Sequence, residues 1–270
     1  MRAGHVSTTA ALALWAGAAT ATPYDCVIEP ALVVEIASAS GGLIREIGVS
    51  RGDLVTRGQI VAQLNAGIEE TTVDLVREEA ISTAEIEAQA ARLKLAESRA
   101  ERTGSLVERN IAPQADLDEA EASVEVSRRE LLMSQMRQRV AAMELKRAEE
   151  VLRQRSIVSP IDGVVLERLL YIGEFADQDR PVVRIAQLDP LHIEAFLPVT
   201  AYPDLTVGMQ ARISPGPPIG GSYLAEVTVI DKVFDAASNT FGIRAKLPNP
   251  DLAIPAGSRC EIELLLEGEE

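Results

Sequence analysis

Aromatic residues are scarce, at 3% of 270 residues. One compact core of this length would normally draw much of its buried area from aromatic rings. Their shortage implies long helix packed on small residues, or a disordered portion, and the Ala/Glu/Arg/Leu bias of residues 68–155 favours helix. Basic charge is also short: 26 Lys and Arg stand against 41 Asp and Glu, a formal net charge of −15. That balance excludes a nucleic-acid surface, which needs a basic stripe. Two histidines and five methionines, dispersed along the chain, argue against a metal cargo. There is no Walker loop, no G-x-G-x-x-G unit and no H-E-x-x-H. His192 lies within a strand pattern and reads as structural, and the many carboxylates stand beside Arg and Lys on helix faces. The chain is therefore expected to be no enzyme and to hold no cofactor or catalytic metal.

Long apolar runs are missing too. Ala10 to Ala19 is the only candidate, about half of the roughly 20 residues that span a bilayer. With Arg2 before it and Ala19-Thr20-Ala21 after it, residues 1–21 read as a cleavable secretory signal. The mature protein is then expected outside the cytoplasm. In that oxidising setting the only two cysteines, Cys26 and Cys260, are most simply a disulfide, with two buried free thiols as the alternative. A bridge closing so long a loop is assigned about 4–5 kcal/mol by the chain-entropy model.

Residues 27–65 carry short β-favouring pieces punctuated by Pro30, Gly41-Gly42, Gly52-Asp53 and Gly58. The texture returns after residue 157, and the two stretches align. Gly42-Leu43-Ile44 matches Gly163-Val164-Val165, Glu46 matches Glu167, and Gly52-Asp53 matches Gly173-Glu174, all at one constant offset. Ala62-Gln63-Leu64-Asn65 resembles Ala186-Gln187-Leu188-Asp189 at a slightly larger one. Neither half can bury a face alone, so the two should fold together as one β-sandwich. The intervening segment must then leave and return to nearly the same place.

Residues 67–156 are able to do this. Leu117, Val124, Leu131, Gln138, Leu145 and Leu152 recur every seven residues, and Ala120, Ser127, Ser134, Ala141 and Ala148 follow three later. Large residues at one seam position and small ones at the other describe a close coiled-coil interface. In the outgoing half two series compete, Ile81/Ala88/Leu95 and Ile86/Leu93/Ala100/Val107. Asn110-Ile111-Ala112-Pro113 ends the periodicity and places a hairpin tip near 108–114. Two antiparallel helices of about 40 residues would each reach roughly 60 Å. Beyond residue 189, alternating runs such as His192–Leu197, Ala225–Ile230, Phe241–Leu247 and Cys260–Leu264 indicate a small antiparallel barrel or sandwich.

Together these features resemble the membrane fusion proteins, the HlyD-like or RND-type periplasmic adaptors of tripartite efflux pumps. The carrying residues are Gly42-Leu43-Ile44, the run Val49 to Gln59, Ser159-Pro160-Ile161-Asp162-Gly163-Val164-Val165, Asp189-Pro190-Leu191, Asn239 to Ala245, and Leu247-Pro248-Asn249 through Gly257. The resemblance implies an α+β chain: a lipoyl-like domain from residues 22–66 and 157–188, an α-helical hairpin over 67–156, and a β-barrel over 189–270. It implies a ring of copies, commonly six, between an inner-membrane efflux transporter and an outer-membrane channel in the periplasm. Family tips often carry an Arg, a Leu four residues on and a Ser seven beyond. Arg102 and Leu106 fit the first two positions, and Pro113 occupies the third. Many relatives continue into a membrane-proximal domain, whereas this sequence stops at Glu270 and reads as a short form.

Two other functions are consistent with parts of the pattern. Adaptors of ATP-driven exporters share the build but usually carry a transmembrane helix near the N-terminus. A biotinyl or lipoyl carrier would need a lysine at an exposed turn between the β halves, and residues 27–65 and 157–188 contain none.

Overall fold

The computed structural model describes residues 23–265; the expected signal segment, 1–21, lies outside them. In chain order the elements are β1 (Tyr24–Ile36), β2 (Gly42–Ile47), β3 (Leu54–Val55), β4 (Ile60–Leu64), α1 (Gly67–Ile81), α2 (Ala84–Glu108) and α3 (Gln114–Arg153). There follow β5 (Ser156–Val158), β6 (Gly163–Arg168), β7 (Phe175–Ala176), β8 (Val183–Pro198), a 3-10 turn (Val199–Asp204), β9 (Gln210–Pro215), β10 (Tyr223–Ile230), β11 (Thr240–Leu247) and β12 (Arg259–Leu264). The chain divides into two units, Val34–Ile185 and the remainder. No helix among the described residues is long and apolar enough to cross a membrane.

The terminal unit contains a closed six-stranded barrel in the order β1-β12-β9-β10-β11-β8, with β8 pairing back onto β1. Alternation sets its inside: Ile193, Ala195 and Leu197 of β8, Phe241, Ile243 and Ala245 of β11 and Ile213 of β9 are all buried in one cluster. Closure removes the sheet edges that would otherwise template aggregation. The region expected to be the first β half, 22–66, is divided here. Through Val33 the chain belongs to the barrel unit, because β1 is one continuous strand whose first residues pair with β12. Pro30 punctuates the sequence without interrupting that strand.

In the central unit, strands from the two sequence halves interlock. Gly42 and Leu43 of the first half pair with Ala176 and Phe175 of the second. Val55 and Leu54 of the first pair with Gly163 and Val164 of the second, the equivalent positions in the repeat. Their turns match bond for bond. Gly52 N–H donates to Val165 O at 2.8 Å, and Gly173 N–H to Ile44 O at 2.9 Å. Ser50 N–H donates to Asp53 Oδ2 at 2.8 Å, and Tyr171 N–H to Glu174 Oε2 at 2.6 Å. Both glycines have positive φ, +93° and +87°, which explains their recurrence. The shared core is Ile44, Val55, Val61, Leu64, Ile157, Val165, Ala176 and their neighbours.

The segment between the halves forms an antiparallel helical arm, as the cross-pairs Arg77–Glu149, Glu85–Arg137 and Glu97–Arg128 show. Of α3, every member of the Leu117 series and of its small-residue companion is withdrawn from solvent, and Ser134 and Ala141 are buried. On the outgoing side the structure separates the two competing series: Ile86, Leu93, Ala100 and Val107 of α2 are half-buried, while Ile81, at the end of α1, and Ala88 and Leu95 of α2 are exposed.

The outgoing side departs from the expected single helix of about 40 residues. It breaks at Ser82, whose backbone is extended (φ −67°, ψ 120°), and restarts at Ala84. The inward positions before the break, Val73 and Ala80, would continue by sevens to Glu87, yet Ile86 is the inward residue. A one-residue slip in register is thus absorbed where the chain is extended. The span from residue 77 to 85 runs opposite the longer span from 137 to 149. Gln138, the one polar member of its series, stands at this point and donates from Nε2 to Ser82 O at 3.4 Å.

Candidate functional site

The tip is built by the way α2 stops. Asn110 N–H donates to Val107 O at 2.8 Å and Ile111 N–H to Leu106 O at 2.9 Å. Asn110 adopts φ 57°, so the pattern is a Schellman stop with Asn in the left-handed position. Pro113 directly precedes α3 with an extended backbone, φ −73° and ψ 154°. Arg102 and Leu106, four residues apart on α2, share one exposed face. Pro113 follows the turn, at the start of α3. Ile111 adds an apolar side chain that is 67% exposed at the turn itself. In the sequence Ile111 stands within the breaker Asn110-Ile111-Ala112-Pro113, where an apolar residue after the helix-stopping Asn is its only signal.

The root of the arm is held by Arg155. One nitrogen, Nη2, donates to Glu69 Oε1 at 2.6 Å, and Nη1 donates to Gly41 O at 2.6 Å. The guanidinium thereby ties the first β half, the start of α1 and the chain after α3 to one another. A hydrogen bond from its own backbone amide holds the Glu69 carboxyl below its ordinary range, against the effect of burial; Arg155 adds to the lowering.

In the barrel unit, Cys26 and Cys260 stand directly opposite on β1 and β12, with Cα atoms 4.9 Å and sulfurs 2.04 Å apart. Both are buried. His192 lies on β8, where burial pushes its imidazole down, so the ring is neutral near pH 7; Arg244 adds to the lowering and Glu194 and Glu29 oppose it. Among the described residues no group of three or more His, Cys, Asp or Glu is placed to hold a metal ion. Three of the five methionines, Met133, Met136 and Met143, are neighbours in sequence and exposed on α3.

No family model matches the chain. The nickel-cobalt-cadmium resistance protein NccB of Alcaligenes xylosoxydans xylosoxydans is 23% identical over 225 residues, covering 82% of this chain and 53% of that protein. The chain spans about half the length of most of the curated relatives it matches. MacA from Actinobacillus actinomycetemcomitans superposes with a TM-score of 0.73 at 19% identity, over 90% of this chain and 78% of MacA. The membrane fusion protein Spr0693 from Streptococcus pneumoniae R6 superposes at 0.58 and 13% identity, over 91% and 99%. The fold is that of the membrane fusion proteins, and no enzyme is among these likenesses.

Proposed function

We propose that the chain is a periplasmic adaptor that joins an inner-membrane efflux transporter of the resistance-nodulation-division type to an outer-membrane channel, for export of small molecules. The observation that carries this reading is the combination of a closed barrel, an interlocked β unit and a long antiparallel arm, in the fold shared with MacA. In this reading the β unit is the lipoyl-like domain and the arm is the coiled-coil hairpin. Arg102, Leu106 and Pro113, joined by Ile111, meet the channel. Copies assemble into a ring, commonly of six, and residues 1–21 direct export. The protein works by geometry: the arm sets reach and the barrel transmits movement of the transporter.

Affinity purification of the full chain in detergent, with mass spectrometry of what accompanies it, tests the reading. A transporter of the proposed type supports it, an ATP-driven exporter moves the chain to that class, and the absence of any inner-membrane transporter overturns both. The name of the 23%-identical relative gives one reason to include nickel, cobalt and cadmium among the compounds screened in a strain lacking the protein.

A further inference from the structure

The barrel exposes large apolar side chains in its loops at one rim and not at the other. Neighbouring strands are antiparallel, so the starts of β1, β9 and β11 and the ends of β12, β10 and β8 share one rim. The segment between β8 and β9 and the loop between β10 and β11 lie there. Val207 in the first is 64% exposed, and Val233 and Phe234 in the second are 84% and 41% exposed. At the opposite rim, loops 216–222 and 248–258 expose no Val, Leu, Ile, Met or aromatic side chain. An apolar patch confined to one rim marks a contact surface.

The loop that carries Val233 is held in shape by its own bonds. Asp235 N–H donates to Thr240 O at 2.9 Å, Asn239 N–H to Asp235 O at 2.8 Å, and Ala237 N–H to Asp235 Oδ1 at 2.8 Å. The Phe234 ring meets Tyr202 edge-on with centroids 5.0 Å apart, which ties the two segments together, and Tyr202 meets the buried Phe241 at 5.2 Å. The apolar tip is therefore presented in advance, and little ordering opposes its burial against a partner. The charges narrow the choice of partner. Asp204, Asp231 and Asp235 are exposed in these two segments, and Lys232 is their only base. Such a rim is repelled by an anionic surface and suits an apolar one without net charge. Its place in the chain narrows the choice further. The polypeptide enters the barrel at this rim, at Tyr24, and only residues 22 and 23 separate it from the expected cleavage point after Ala21. That stretch spans at most roughly 10 Å, so until the leader is removed it holds the rim close to the bilayer in which the leader lies.

We infer that this rim is a lipid-docking surface, which seats Val207, Val233 and Phe234 in the interface of a zwitterionic bilayer beside the point where the chain enters the barrel. The contact is shallow: three apolar side chains enter the headgroup boundary, and the carboxylates around them stay in water. Binding through so small an apolar area is weak and reversible. The inference holds whichever transporter the chain serves, so it stands or falls apart from the function proposed above.

The only tryptophan, Trp15, lies in the expected leader, so an indole introduced into the mature chain reports from one place. The test compares Val233→Trp with Leu224→Trp, whose position is 59% exposed on β10 toward the opposite rim. With phosphatidylcholine vesicles, the emission of Val233→Trp should move to shorter wavelength and be quenched by brominated acyl chains, and Leu224→Trp should show neither. The parent should float with these vesicles, and Val207→Asp combined with Val233→Asp should lower its partitioning by on the order of tenfold or more. Both are exposed loop positions, and an unchanged circular dichroism spectrum confirms that the double variant folds. Phosphatidylglycerol mixed into the vesicles should weaken binding of the parent at low salt and have little effect at high salt. A parent that stays unbound at every vesicle concentration overturns the inference. Equal spectral shifts at 233 and 224 show adsorption without a docking rim and also overturn it. A shift of Val233→Trp that requires a solubilised inner-membrane transporter, and is absent with vesicles, assigns the rim to a protein partner instead.

Discussion

Asn249 donates its backbone N–H to Asp189 Oδ1 at 2.8 Å, joining two sequence motifs that lie far apart in the chain. The Asn249 side chain is 3% exposed, and its hydrogen-bonding groups are engaged. Nδ2 donates to Leu188 O and to Ile254 O, each at 3.0 Å, and Ile254 N–H donates to Oδ1 at 3.1 Å. The Leu247-Pro248-Asn249 motif is therefore a clamp that fastens the loop after β11 to the middle of β8. Replacing Asn249 with Ala leaves two carbonyls and one amide without partners in a dry site. The expected loss is roughly 2–4 kcal/mol, measured by denaturant unfolding of the mature protein.

The break in the outgoing helix leads to a prediction opposite to helix propensity. Ser82→Ala with Thr83→Ala raises intrinsic helicity by a few tenths of a kcal/mol per residue. A continuous helix, however, would turn Ile86, Leu93 and Ala100 about 100° away from α3, since the slip could no longer be absorbed. It would also remove the free Ser82 carbonyl that Gln138 bonds. The double variant should melt earlier than the parent despite its better helix formers. A higher melting temperature by circular dichroism would show that the break has no registering role.

Much of this architecture can be read from the sequence, for physical reasons that differ by element. The repeat was legible because Gly52 and Gly173 occupy left-handed positions in equivalent turns, where other residues are strained. The inner face of α3 was legible because one unbroken helix keeps a strict period. The outgoing side was ambiguous because both of its series are real, one facing α3 and one facing outward. The break itself was available only as Ser82-Thr83-Ala84-Glu85, a capping-box pattern with no Gly or Pro to announce it. Arg155 could not be identified as the root clamp at all, since its partners Gly41 and Glu69 come from distant parts of the chain.

Acid should loosen that root. The folded-state pKa of Glu69 lies below its unfolded value, so its ionised form stabilises the fold above the unfolded pKa. The contribution is lost as pH falls through the lowered folded value. Glu69→Gln should accordingly flatten the acid side of the stability curve below about pH 4.5 and leave its slope near neutrality unchanged. Arg155→Ala, which strands a carboxylate that is only 16% exposed, should cost about 1–3 kcal/mol at neutral pH and much less at pH 3.

The Cys26–Cys260 pair should form on export and hold β1 in the barrel. Adjacent strands already register these residues, so reduction is expected to cost about 2–4 kcal/mol, less than a loop-closure figure for so long a loop. Non-reducing mass spectrometry of the exported protein should find no alkylatable thiol. Two free thiols would remove the bridge, and β1 would then rest on its backbone pairing alone.

At the tip, the proposed channel contact separates by residue. Arg102 and Leu106 share an exposed face, and Ile111 projects beside the helix stop, whereas Pro113 shapes the start of α3. Arg102→Glu and Ile111→Ser should therefore reduce export severely while the protein accumulates and folds as before. Pro113→Ser should reduce it little, because a serine can also cap the first turn of α3. Leu106→Ala is expected to fall between them, since its carbonyl, which is retained, carries the bond from Ile111. Drug susceptibility of a deletion strain expressing each variant, alongside co-purification with the channel, measures the order. Equal activity of Arg102→Glu and Ile111→Ser with the parent would place the channel contact elsewhere on the molecule.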